Sequence, residues 1–173
     1  MDLTKYISLI DETRWGSLDD VKFEQEIGLQ IRNNHYVTKE QLWKIVEWKN
    51  ADKLYYIKRL ESIFKKVSDE EVKEVTRFAL QMTFDNYKLK LLCTIPGVGP
   101  TLASIILAFY DPYKYGIFDQ SIWDQLFQEQ KRNMTIGGYL TTLVRMRELA
   151  EQHQVPVRII DMALRTKDMI DSS

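Results

Sequence analysis

Apolar residues recur at helical spacing along almost the whole chain, and no stretch shows the two-residue alternation of a half-buried strand. Leu42, Ile45, Val46 and Lys49 follow Thr38-Lys39-Glu40-Gln41, while Val72, Val75, Phe78, Ala79 and Met82 follow Ser68-Asp69-Glu70-Glu71. Both tetrapeptides have capping-box form, so amphipathic helices are predicted to begin after Thr38 and Ser68. Further helical patterns cover residues 21–31, 54–64, 140–151 and 157–170, the last with Pro156 at its start. Gly137-Gly138, after the polar stretch 129–133, predicts a mobile connection. The expected fold is an all-α, compact two-lobed helical bundle. It forms a single domain over residues 1–173, with lobes at about 20–83 and 84–173.

The most informative segment interrupts this helical pattern. Leu89, Leu91, Leu92 and Ile95 precede Pro96-Gly97-Val98-Gly99-Pro100, and Leu102, Ala103, Ile105, Ile106, Leu107 and Phe109 follow it. Pro96 stops the first helix, the two glycines permit positive φ and close backbone approach, and Pro100 suits the first position of a second helix. A helix-hairpin-helix over about residues 86–110 is therefore predicted. The first-turn N–H groups of its second helix lack intrahelical partners and carry the positive end of the dipole, which suits them to an anionic oxygen. Gly97, Val98, Gly99 and Thr101 are the candidate phosphate-binding residues. An ordinary helix–turn–helix corner uses the same residue types.

Beyond the second helix come Tyr110-Asp111-Pro112-Tyr113-Lys114-Tyr115-Gly116-Ile117-Phe118-Asp119 and then Gln120-Ser121-Ile122-Trp123. Over about residues 88–126 the chain resembles the helix-hairpin-helix DNA glycosylase superfamily. That family combines an Ile/Leu-Pro-Gly-Val-Gly hairpin, a small residue near Ala103, and an apolar-Asp pair after a loop. The resemblance implies a fold in which Asp119 projects into a cleft between two helical lobes and faces the sugar of a nucleotide rotated out of duplex DNA. Breaking an N-glycosidic bond builds positive charge on the sugar, and a buried carboxylate can stabilise that charge and orient water. The resemblance also implies that hairpin carbonyls hold a monovalent cation, potassium or sodium, bridging to the phosphate. No organic cofactor is implied.

One departure from the family limits the chemistry. Members with lyase activity carry a lysine in the second hairpin helix, which falls on Thr101 here, 18 residues before Asp119. A threonine cannot form a Schiff base with a sugar aldehyde, so a monofunctional glycosylase is expected. Lys114, in the loop before Asp119, reads as a solvated surface lysine. Asp119 is also well placed as the N-cap of a helix over residues 120–127, a role compatible with catalysis because a carboxylate at a helix N-terminus stays ionised. Trp48, Gln120 and Trp123 are candidate base-pocket residues, although aromatics at such spacing also build cores. Lys49 could reach a phosphate, although solvation on the helix surface is the default for such a lysine. Asp161 could face the cleft, although capping or pairing with Arg158 or Arg165 is the default reading.

Composition narrows the function classes further. With 173 residues and 45% hydrophobic content, the chain can bury one sizeable core. Its single cysteine, Cys93, excludes an intrachain disulfide and a Cys-ligated iron–sulfur cluster, and it reads as a buried filler. His35 and His153 lack zinc-ligand spacing, so no transition metal is expected. No membrane span or signal peptide is evident, and a cytoplasmic location is expected.

The 24 basic and 25 acidic residues leave no excess positive field. DNA affinity would thus rest on local clusters, either Lys53, Lys58, Arg59, Lys65 and Lys66 or Lys131 with Arg132. The same neutrality is compatible with a noncatalytic nucleic-acid-binding module or with a protein-interaction domain.

Overall fold

The computed structural model describes residues 1–10, 18–129 and 133–171, and every regular element among them is helical. In chain order these are α1 (Thr4–Ser8), α2 (Leu18–Asn34), α3 (Lys39–Lys49), α4 (Leu54–Phe64), α5 (Asp69–Gln81), α6 (Asp85–Leu92), α7 (Pro100–Tyr110), α8 (Gln120–Phe127), α9 (Ile136–His153) and α10 (Val157–Asp171).

Local chemistry sets most of these boundaries. Thr38 closes a reciprocal capping box with Gln41 ahead of α3, and the Ser68 hydroxyl accepts the Glu71 N–H ahead of α5. Helices α4 and α8 match their predicted spans residue for residue. Helix α9 does not: Gly137 and Gly138 form part of its first turn rather than a mobile connection. The Thr135 hydroxyl accepts the Gly138 N–H at 3.0 Å, and this cap starts the helix despite two poor helix formers. Lys131 and Arg132 lie outside the described residues.

Helix α7 is the packing centre. Residues 102–109 are all buried, and the helix packs against α2, α3, α6 and α9. Gly28 lets α2 approach closely, since a Cβ there would stand 2.8 Å from the Phe109 carbonyl oxygen. Arg32 donates from Nη1 to that same oxygen at 2.7 Å, which satisfies a carbonyl in the last turn of α7. One apolar cluster runs from Leu3 and Ile27 through Val72 and Leu92 to Leu164, so both predicted lobes feed a continuous core. Cys93 is the C-cap of α6 and only half-buried against that core, a more open position than a filler inside an apolar helix. Among the described residues no helix is long and apolar enough to cross a membrane.

Candidate active site

The hairpin joins α6 to α7 as the glycine spacing predicts, but its two glycines serve different ends. Gly97 has φ 87°, and a Cβ there would lie 2.8 Å from the Phe64 ring of α4, so both backbone and packing require glycine. Gly99 is extended at φ −96° as the N-cap of α7, and a Cβ there would meet nothing within 4 Å. Its lack of a side chain therefore answers no internal need. Val98 is buried, and its N–H donates to the Ile95 carbonyl at 2.9 Å, which commits that donor within the turn. The open donors of this corner belong to the first turn of α7, where Thr101 and Leu102 have no carbonyl four residues back inside the helix.

The segment leading to Asp119 is irregular yet buried, which requires partners for its backbone. Side chains from three helices supply them. The Ile117 N–H donates to Asp161 Oδ2 at 2.7 Å, the Phe118 N–H to Ser104 Oγ at 2.9 Å, and the Tyr139 hydroxyl to the Gly116 carbonyl at 3.0 Å. A Cβ on Gly116 would stand 3.0 Å from both Asp161 and Met146, so the chain passes where only glycine fits without a shift. The path of residues 116–118 is thereby fixed, and Asp119 emerges at the start of α8. Its Oδ1 accepts the Ile122 N–H at 3.2 Å, the capping contact expected of it.

The other oxygen of Asp119 faces cations. Lys49 Nζ lies 3.1 Å and Arg165 Nη2 2.5 Å from Oδ2, and the Asp119 side chain is only 19% exposed. Burial pushes the Asp119 carboxyl up, but Arg165, then Lys49 and the Ile122 N–H outweigh it and hold it below the ordinary carboxylate range. Burial lowers the Lys49 ammonium, with Asp119 opposing and Arg165 reinforcing that effect. Behind Arg165 the charges continue inward. Asp161 is completely buried against Arg158, which grips Glu24 of α2 with Nε at 2.8 Å and Nη2 at 2.6 Å.

A cleft of about 440 Å³ opens over this carboxylate. Lys49, Asn50, Lys53 and Tyr56, around the α3–α4 connection, form one wall, while Thr101 and Leu102 of α7 with Asp119, Gln120 and Ser121 form the other. Thr101, Asp119 and Gln120 are thus brought together as the sequence suggests. The two tryptophans are not among the lining residues. Trp48 is turned into the α2–α3–α7 packing, stacked on Phe23 at 5.8 Å and near Phe109 at 5.5 Å, and its Nε1 donates to Asp20 at 2.8 Å. Trp123 is buried against Phe127, with ring centroids 4.2 Å apart. Lys114 is 69% exposed and pairs with Asp111, which agrees with a surface role.

Sequence reasoning placed Arg165 only beside Asp161 and missed its contact with Asp119, and it underestimated Lys49. Lys49 falls on the apolar stripe of α3 with Leu42, Ile45 and Val46, and a lysine at that register is the readable sign of an enclosed amine. Among the described residues no group of three His, Cys, Asp or Glu side chains is arranged to hold a metal ion. No protein-family model, curated protein or solved structure matches this chain.

Proposed function

We propose that the chain is a DNA glycosylase-like enzyme that excises a damaged or modified base and leaves the strand intact. The observation that carries this reading is the shared cleft, in which a largely enclosed, ionised Asp119 faces the first turn of the hairpin helix. A sugar cation developing over Oδ2 gains the field of a carboxylate held in low dielectric, and the same oxygen can orient water. The phosphate of the extruded nucleotide lies against the Gly99 and Thr101 corner, where no side chain stands in the way. Lys49 and Lys53 on the opposite wall compensate for the neutral overall charge by concentrating positive charge where the strand enters. A potassium or sodium ion at the hairpin would be held by backbone carbonyls, of which those of Ile95 and Gly99 each accept one backbone hydrogen bond and keep a second lone pair.

Release of free base from duplexes carrying a panel of altered nucleotides tests the proposal. Asp119→Asn serves as the control, and alkali reveals abasic sites. Base release that disappears in Asp119→Asn, with strand breaks only after alkali, is the expected result.

A second reading is favoured by one specific observation: both Asp119 oxygens are already engaged, Oδ1 by the α8 cap and Oδ2 by two cations. In a noncatalytic nucleic-acid-binding module this arrangement would be the whole role of Asp119. Duplex binding that weakens steeply with salt but releases no base would establish it. Absence of duplex binding would favour a protein-interaction domain.

A further inference from the structure

At the other end of α7 from the cleft lies a second cavity of about 590 Å³. The two openings are separated by about 13 Å of helix, the rise from Thr101 to Tyr110. Five charged residues line it: Asp85, Lys88, Asp111, Lys114 and Arg147. Four of them are matched in pairs. Arg147 Nη1 lies 2.7 Å from Asp85, whose other oxygen accepts the Tyr115 hydroxyl at 2.7 Å, and Lys114 Nζ lies 3.2 Å from Asp111.

Lys88 is the charge left over. It is 6% exposed, and its Nζ donates to the neutral Leu80 carbonyl at 2.9 Å. Among the described residues no carboxylate forms an ion pair with it. A buried ammonium with a single neutral acceptor retains two donors, and burial lowers its ionisation even though the fields of Asp85 and Asp111 reach it without direct contact, a costly state that an anion in the cavity relieves. Fixing the last turn of α5 explains one of its three protons. It does not explain why the charge borders a polar cavity that also exposes part of Arg147 and Lys114.

We propose that this cavity is a binding site for a single phosphate-type oxyanion, held by Lys88 with Lys114 and Arg147 at its rim. The tally of three cations against two carboxylates fits one negative charge, and the fixed Asp85–Arg147–Tyr115 cluster leaves the guanidinium held in place beside it. The site does not depend on the activity proposed for the cleft, since it shares no lining residue with that cleft.

Calorimetric titration of the full chain with inorganic phosphate, at low ionic strength, tests the assignment. The variants are Lys88→Met and Thr83→Glu, with Lys44→Met, an exposed lysine that lines neither cavity, as the control. Thr83 lines the cavity and is exposed, so its glutamate places a carboxylate at the site without disturbing the core. Saturable binding is expected in the wild type and in Lys44→Met, weakened at least about tenfold in Thr83→Glu. Lys88→Met should show the same loss, and if that variant fails to fold the Thr83→Glu result stands alone. Duplex affinity then identifies the source. A parallel loss in Thr83→Glu assigns the anion to a nucleic-acid backbone, and an unchanged value assigns it to a free phosphorylated ligand. Absence of saturable phosphate binding, or equal binding in wild type and Thr83→Glu, overturns the proposal.

Discussion

Lys49 Nζ stands 3.1 Å from Asp119 Oδ2, tying the last turn of α3 to the cap of α8 across 70 residues of chain. Any ligand that uses this carboxylate must compete with that ammonium. Lys49→Met should therefore leave Asp119 with Arg165 as its one cation partner and move its ionisation upward. Measured against pH, base release by Lys49→Met is expected to fall off at a higher pH on the acid side than in the wild type. Duplex affinity should drop and become less sensitive to salt. An unchanged acid limb would mean that Lys49 does not set the charge state of Asp119.

Replacing Asp119 separates capping from charge. Asparagine remains a good N-cap but loses both ion pairs, whereas alanine loses the cap as well. Asp119→Asn should lower stability by about 1 to 2 kcal/mol through the stranded Lys49 and Arg165, and Asp119→Ala by about 1 kcal/mol more. Urea unfolding of the two variants measures the difference. Equal losses would show that the Ile122 N–H contact contributes nothing.

Thr101 supplies no amine, and the Nζ of Lys49, although enclosed, is engaged by Asp119 Oδ2 at 3.1 Å. Incubation with a duplex containing an abasic site, followed by borohydride, is accordingly expected to give no covalent adduct. A trapped adduct that vanishes in Lys49→Gln would instead assign strand-cleaving chemistry to Lys49, delivered from a different helix than the hairpin.

Acid should loosen the site in a defined direction. The folded-state ionisation of Asp119 lies below the ordinary carboxyl value, because Arg165 and Lys49 outweigh burial, and that of Asp85 does too, because Arg147 and Tyr115 outweigh burial. Both carboxylates contribute stability that is complete above the unfolded carboxyl value and lost as pH falls through the depressed folded values. Thermal unfolding in the wild type should thus steepen its decline below about pH 4, and less so in Asp119→Asn.

The hairpin glycines make a paired prediction. Gly97→Ala forces a side chain into a left-handed backbone against Phe64 and should cost about 1 to 3 kcal/mol. Gly99→Ala meets open space at an ordinary φ and should leave stability nearly unchanged. If phosphate approaches that corner, Gly99→Ala weakens duplex binding by a factor that Gly97→Ala, corrected for folding, does not reproduce.

Periodicity and caps carried most of the fold. The spans of α4 and α8, the starts of α3 and α5 and the corner at Gly97 were readable because each is decided by neighbours within a few residues. The start of α9 was misread because Thr135, a single capping hydroxyl, outweighs two glycines that normally signal a break. At the site, Asp119, Thr101 and Gln120 were legible from the hairpin and its spacing. Trp48 and Trp123 turn inward because Phe23, Phe109 and Phe127 offer them apolar faces, which a single sequence does not disclose. Arg165 reaches Asp119 from 46 residues further along the chain, a convergence that only the packing of α10 on α8 brings about.

The charges running from Lys49 through Asp119, Arg165, Asp161 and Arg158 to Glu24 bear on modularity. Four separate stretches of the chain, α2, α3, the head of α8 and α10, each contribute a member, and Asp161 also holds the backbone that delivers Asp119. A fragment carrying only the hairpin and its aspartate would keep the recognisable motif but lose the groups that orient and ionise it. The motif therefore cannot be grafted as a cassette, and shortening the chain before α10 would disarm the cleft without touching a residue that lines it.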